Sequence, residues 1–263
     1  MDILQLVKTR RSVRTFEPQP LSAEHRQQLD AYQKTIQNPY GIPVDFVLLD
    51  AKEHGLSSPV LSGETLYAAA KVERQPHAEE AFGYSFEKLV LYAWSLGIGT
   101  TWIGGTMKRE LFARAAGVQP GQLMPCVSPL GYPAAKMSVR ETLMRRGSKA
   151  SERRAAEELF FDRDFDTPLH EENPDAALAL ELVRLAPSAV NRQPWRVVRD
   201  GNRYHFYLRH DKGYRSEAAG ELQKVDMGIA LCHFMSGVNG TFSLKDPWLK
   251  TEPNVEYMAT VTI

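Results

Sequence analysis

The chain reads as one passage written twice, and this limits its architecture more than any single motif does. DRDFDTPL at 162–169 echoes VRTFEPQPL at 13–21, and a helical pattern follows each. QPWRVVRDG at 193–201 then aligns with IPVDFVLLD at 42–50. Further on, VDMGIALCHFMSGV at 225–238 takes the place of the apolar helix that runs from Phe82 to Gly97. The offset is about 150 residues at the start of the halves and shrinks later, a period far too long for a solenoid. Three features recurring in one order predict two similar halves, residues 1–150 and 151–263. They should pack intimately as one globular unit about a pseudo-twofold axis, one chain doing the work of two subunits.

Local patterns fill in that frame. Ile3, Leu6 and Val7 mark a short opening helix, and Ser22 is placed to cap the helix that follows it. IPVDFVLLD reads as a strand from its β-branched and aromatic content. Phe82, Phe86, Leu89, Val90, Ala93 and Leu96 recur at helical spacing up to Gly97, and this broadly apolar helix belongs at the centre. KRELFARAAGV predicts a shorter helix ending at Gly117, and LMPCVSPLGYP a buried strand that runs into a turn. Residues 134–158 are densely charged, and their second half reads as a solvated linker or surface helix. Residues 62–81 and the stretch around Tyr214 are plain surface loops by the same reading, or else lids.

Composition excludes several functions. The 32 Lys and Arg residues balance 32 Asp and Glu, so no global basic field exists to attract nucleic acid or a membrane. Cys126 and Cys232 stand far apart, which excludes a disulfide framework and fits a reducing compartment. No apolar run approaches the roughly 18 residues of a membrane span, and the N-terminus is too quickly charged for a secretory signal. A cytoplasmic protein is the expectation. The seven histidines show no ligand spacing, and His170 with Glu171 and Glu172 reads as solvated surface, so no metal site is expected.

Two stretches carry chemistry, each with a plainer alternative. RRSVR at 10–14 sets three guanidiniums and a hydroxyl together, a good phosphate receptor, although arginines there also complement a helix end. GIGTTWIGG at 97–105 follows a helix rather than a strand, so it is no dinucleotide fingerprint. Its glycines would let backbone N–H groups approach a flat ligand, or simply make a tight turn. No P-loop, HExxH, GxSxG or EF-hand pattern occurs. Trp102 and Trp195 are core by default. LAPSAVNRQPWRVV at 185–198 is a proline-bracketed loop rich in hydrogen-bonding groups, set unusually late in the chain.

Together, RRSVRTF, LGIGTTWIGG, LGYPAAKMSVR and APSAVNRQPW resemble the nitroreductase family of FMN-dependent oxidoreductases. The resemblance covers most of the chain and looks closest to single-chain, pseudo-dimeric nitroreductase-like proteins. It implies an α+β fold in which each half has an antiparallel-rich sheet flanked by helices. This sequence departs from the family order, because the APS-x-x-N-x-QPW segment appears only in the second half. The second half in turn keeps only Arg163 where the arginine motif should recur. The resemblance therefore implies one surviving cleft between the halves, its symmetry mate empty or filled with side chains. It places Arg10, Arg11, Ser12 and Arg14 around the phosphate, ribityl chain and pyrimidine edge of FMN. Lys136 or Arg140 would add phosphate charge, where a linker role is the alternative. Pro187, Ser188 and Asn191 would cover and hydrogen-bond the isoalloxazine, with Gln193 beside them. The backbone of Ile103, Gly104 and Gly105 would donate toward N5 and O4.

The implied function is an NAD(P)H oxidoreductase that reduces small electron-poor acceptors such as nitroaromatics or quinones by a ping-pong mechanism. Hydride chemistry then belongs to the flavin, and no catalytic side chain is required. A monomer is expected. The alternatives are specialised flavin chemistry (dehalogenation or flavin cleavage), a flavin-binding protein with little turnover, or a degenerate fold that has lost its flavin.

Overall fold

A computed structural model describes residues 2–147 and 149–263. The first elements are α1 (Ile3–Thr9), α2 (Ala23–Gln33), β1 (Asp45–Asp50) and β2 (Leu66–Glu73). The central helix α3 (Ala78–Ser95), α4 (Arg109–Ala115), β3 (Gln122–Leu123), β4 (Val127–Leu130) and α5 (Val139–Gly147) complete the first part. The chain continues through β5 (Phe160–Asp162), α6 (Pro174–Leu185), β6 (Trp195–Asp200) and β7 (Arg203–Arg209). A small hairpin, β8 (Arg215–Ser216) and β9 (Gly220–Glu221), leads into α7 (Leu222–Gly237), β10 (Thr241–Ser243) and β11 (Val255–Thr262).

Apart from α4 in the first part and the β8–β9 hairpin in the second, a helix–strand–strand–helix–strand order occurs twice. In the first part β2 pairs antiparallel with β1, β3 and β4. In the second the order is β10-β11-β7-β6-β5, antiparallel except for the parallel β5–β6 pair. The structure is therefore an α+β fold with antiparallel-rich sheets.

Helices α3 and α7 pack on each other at the centre. Each has a glycine at the crossing, and the two glycines are used reciprocally. A Cβ built on Gly83 would lie 2.1 Å from the Val225 carbonyl oxygen, and one on Gly228 would lie 2.0 Å from the Glu80 oxygen. Each glycine meets the residue three positions before the other, as a local twofold requires. Phe82, Phe86, Met227, Leu231 and Phe234 fill the surrounding core and are shielded from solvent. A wholly buried polar contact joins the same helices. His233 Nε2 lies 3.0 Å from Glu87 Oε1, and Trp102 Nε1 donates to Glu87 Oε2 at 3.0 Å.

The expected helices and the strand at 42–50 are present, and Ser22 caps α2 by accepting from the His25 N–H at 3.1 Å. One expectation needs correction, and another holds except at one residue. Residues 62–81 are neither lid nor surface loop, because β2 runs through them as the middle strand of its sheet. Ala68, Ala69 and Ala70 are almost wholly buried there, small side chains filling a crowded layer where β-branched residues would ordinarily signal a strand. The second half of the charged stretch 134–158 is mostly exposed, as a solvated linker or surface helix would be, but it folds Arg153 inward, and α5 before it buries Glu141.

Candidate functional site

The arginine motif follows α1, which ends when Arg10 turns to extended backbone. Val13 N–H donates to Thr100 O at 2.8 Å and Phe16 N–H to Ser62 O at 2.8 Å, so residues 12–16 are laced onto the GTTW and Ser62 segments. Gly99 permits this approach, since a Cβ there would sit 2.8 Å from a Val13 methyl.

Across from it lies the connection between α6 and β6. Val190, Asn191 and Gln193 all have positive φ, at 51°, 56° and 52°. Left-handed backbone at three non-glycine residues, one of them β-branched, stores strain that the surroundings must over-determine. They do so from several sides. Ser188 Oγ accepts from Gln193 N–H at 2.8 Å, and Ala189 N–H donates to both carboxylate oxygens of Asp226 on α7, at 3.0 and 3.2 Å. Asp226 is buried, and burial raises its pKa well above 3.8, with the Ala189 bond opposing.

Arg10, Arg11, Ser12, Arg14, Pro187, Ser188 and Asn191 line a single cavity of about 420 Å³. Two segments far apart in sequence thus meet at one place. Arg145 and Arg153 line it too, although their charged stretch was read as solvated. No signal in sequence separates them from the other charges of that stretch.

The cavity is electrostatically incomplete. Arg10 Nε and Nη1, Arg14 Nη1 and Arg153 Nε are out of solvent and bond nothing among the described residues. Burial lowers the pKa of Arg10, which Glu87 opposes and Arg145 reinforces. Burial also lowers Arg14, with Glu141 opposing and Arg145 adding. Arg153 is pushed down to about 10 by burial and then by Arg10 and Arg184. Mutually repelling guanidiniums with spare buried donors form a receptor for a multidentate anion.

The other predicted residues are placed as follows. Arg11 lines the cavity, but its guanidinium pairs with Glu141 at 3.2 Å, and Glu141 also accepts from Arg14 N–H and Thr15 Oγ1. Asn191 spends its amide on the opposing segment, donating to Lys149 O at 2.8 Å and Glu152 O at 2.9 Å and accepting from Arg153 Nη1 at 3.3 Å. Gln193 is buried and accepts from Arg154 N–H at 2.9 Å. Lys136 lies outside the arginine cavity in an adjoining trough. Arg140 bonds the Pro59 carbonyl. Ile103 exchanges both backbone hydrogen bonds with Val127, so its N–H is not free to donate elsewhere. Gly104 and Gly105 follow, Gly104 against Cys126 and Leu222, and neither lines the cavity. The Tyr214 stretch is surface chain joined to the loop by Arg192 Nε, which donates to Tyr214 Oη at 3.1 Å.

The equivalent connection in the first part, between α2 and β1, is built differently. Tyr40 fills it, stacked on His77 at 5.5 Å and edge-on to Phe242 at 4.8 Å. Among the described residues, no group of three or more His, Cys, Asp or Glu could hold a metal. No described helix is long and apolar enough to cross a membrane.

Comparison with known proteins gives the setting. A family model described as "Putative TM nitroreductase" matches residues 2–238. The structure of a protein described as a putative nitroreductase from Thermotoga maritima MSB8 is similar over 100% of this chain and 94% of that one. Its TM-score is 0.65 at 21% identity. An FMN-dependent nitroreductase from Clostridium difficile R20291 matches 54% of this chain and 94% of its own, with TM-score 0.43 and 16% identity. No curated protein matches the chain.

Proposed function

This chain belongs to the TM nitroreductase family, and on that premise we propose that it is an FMN-dependent NAD(P)H oxidoreductase with one flavin site per chain. The observation that carries the reading is the cavity at which RRSVR and APSAVN meet, with buried guanidinium donors lacking partners. A flavin phosphate fits those donors, since arginine forks match phosphate oxygens and a charge-assisted bond relieves their desolvation.

Arg10, Arg14, Arg145 and Arg153 would hold the phosphate. Pro187 and Ser188 would cover the ring system. When bound, FMN supplies the hydride-transfer chemistry of a ping-pong cycle between NAD(P)H and an electron-poor acceptor such as a nitroaromatic or quinone. The chain's own part is to bind, orient and exclude water. Asp226 holds the strained loop through Ala189, and the loop fixes the wall against which a flat acceptor would stack. No side chain need act as nucleophile or general acid.

The same reading divides the chain at 150/151 and treats it as complete in one copy, because both sides of the cavity come from one chain. The test is anaerobic. FMN-loaded protein should bleach with NADH or NADPH and recover its colour on adding a nitroaromatic or quinone. Protein that retains FMN but bleaches with neither would be a flavin binder rather than an enzyme.

A further inference from the structure

The arginine cavity opens beside a second, larger trough of about 860 Å³, and the two share Arg145, Ala150 and Ser151 as lining. Lys136, Arg146 and Lys149 line the trough beyond the shared wall, and among the described residues Glu152 is the one acid that lines it. That carboxylate pairs with Lys149 at 3.2 Å, both side chains being exposed, so it neutralises little. Met137, 44% exposed, supplies an apolar wall.

Charge decides what else binds here. An FMN phosphate brings about −2 charges, and the guanidiniums of the inner cavity already outnumber that. On the outer wall of the trough, Lys136 and Arg146 make no ion pair among the described residues, and Lys149 has only its exposed pair with Glu152. A focused positive field beside a redox site selects a substrate that is itself a polyanion. The substrate already required for this chemistry is a nicotinamide dinucleotide. Its pyrophosphate adds about −2, and a 2′-phosphate adds a further charge of about −1.5 to −2.

We infer that the trough of Lys136, Arg146 and Lys149 receives the phosphate-bearing adenylate end of the reductant, and that it selects NADPH over NADH. This rests on the flavin-enzyme reading above. The adenine would lie on Met137, whose thioether adapts to a flat ring. The three cations would meet the 2′-phosphate, the one group that NADPH has and NADH lacks. Arg146 and Lys149 sit outside the arginine cavity, so their removal should leave the flavin in place.

The experiment uses 2′,5′-ADP, which carries the phosphates and adenine but no nicotinamide and so cannot reduce a flavin. Its binding is measured by calorimetry on purified protein, with and without added FMN, for wild type and an Arg146→Ser/Lys149→Ser variant. Wild type should bind it, with affinity falling as salt rises. The variant should bind it more than about tenfold more weakly. Its KM should rise for NADPH but little for NADH, with kcat unchanged. Equal affinity in both proteins, or no binding to wild type, overturns the inference. So does binding of inorganic pyrophosphate as tight as that of 2′,5′-ADP, which would mark an unselective anion patch. A protein that stays colourless with FMN would instead overturn the flavin reading, and the calorimetry still reports on the trough.

Discussion

Asn191 Oδ1 accepts a 3.3 Å hydrogen bond from Arg153 Nη1, across 38 residues of sequence. The same amide donates to two carbonyls of the 149–152 segment. Asn191 is therefore a staple, holding in place the segment that carries a guanidinium into the cavity. Its first effect on an anion there is indirect.

That relationship predicts a coupling. Asn191→Ala and Arg153→Ala should each weaken FMN retention about tenfold, Arg153→Ala by removing a charge-assisted contact to phosphate and Asn191→Ala by releasing the segment that positions it. The double variant should be no worse than about the more damaging single one. A double-mutant cycle on flavin dissociation constants should return a coupling energy of about 1 kcal/mol. Strict additivity would mean that Asn191 touches the flavin independently.

Neighbouring arginines should differ in consequence. Arg10 has buried donors with no partner among the described residues, whereas Arg11 is engaged by Glu141. Arg10→Ala should cost far more FMN affinity than Arg11→Ala. Arg11→Ala should instead lower the stability of the flavin-free chain by about 1 kcal/mol, because the 1%-exposed carboxylate of Glu141 loses its cation and keeps only the Arg14 N–H and Thr15 hydroxyl. Urea unfolding beside fluorescence-monitored flavin binding separates the two effects.

The α3–α7 crossing has no room for a methyl group. Gly83→Ala would drive a Cβ to 2.1 Å from a backbone carbonyl, and Gly228→Ala would do the same in mirror fashion. Each should destabilise the fold by about 3 kcal/mol or more. A thermal shift for one glycine but not the other would contradict the reciprocal crossing.

Asp226 gives a pH signature. Its folded pKa is raised above 3.8 by burial, so between the two values the native state holds a proton that the unfolded state has lost. Its contribution is fully favourable below the unfolded value and is lost as pH rises toward the folded one. Asp226→Asn keeps an acceptor for Ala189 N–H and removes the titration. Melting temperatures taken from pH 4 to 8 should show the variant gaining on wild type as pH rises. A constant difference would place the titration elsewhere.

How much of this was legible in sequence depends on residue type. RRSVR and APSAVN stand out because clustered arginines and a proline-bracketed polar loop are rare without a task, and the cavity joins them. Arg145 and Arg153 do not stand out, because among so many charges a solvated face is the better default. Only the tertiary position of Asn191 shows which of those charges turns inward. The strand at 66–73 was missed because its three buried alanines answer to packing in a crowded layer, a demand that no local pattern carries. Asp226 was invisible for a similar reason, since a lone aspartate on an apolar helix gives no hint of the N–H it will meet.

The central claim is that one chain builds one flavin site, from its beginning and its second half. It is tested most directly by stoichiometry: reconstitute the purified protein with excess FMN, desalt, and compare released flavin with protein mass. One FMN per 29.6 kDa chain is expected, because the RRSVR and APSAVN segments that line the cavity each occur once in the sequence. Two flavins per chain, or none retained, would contradict it.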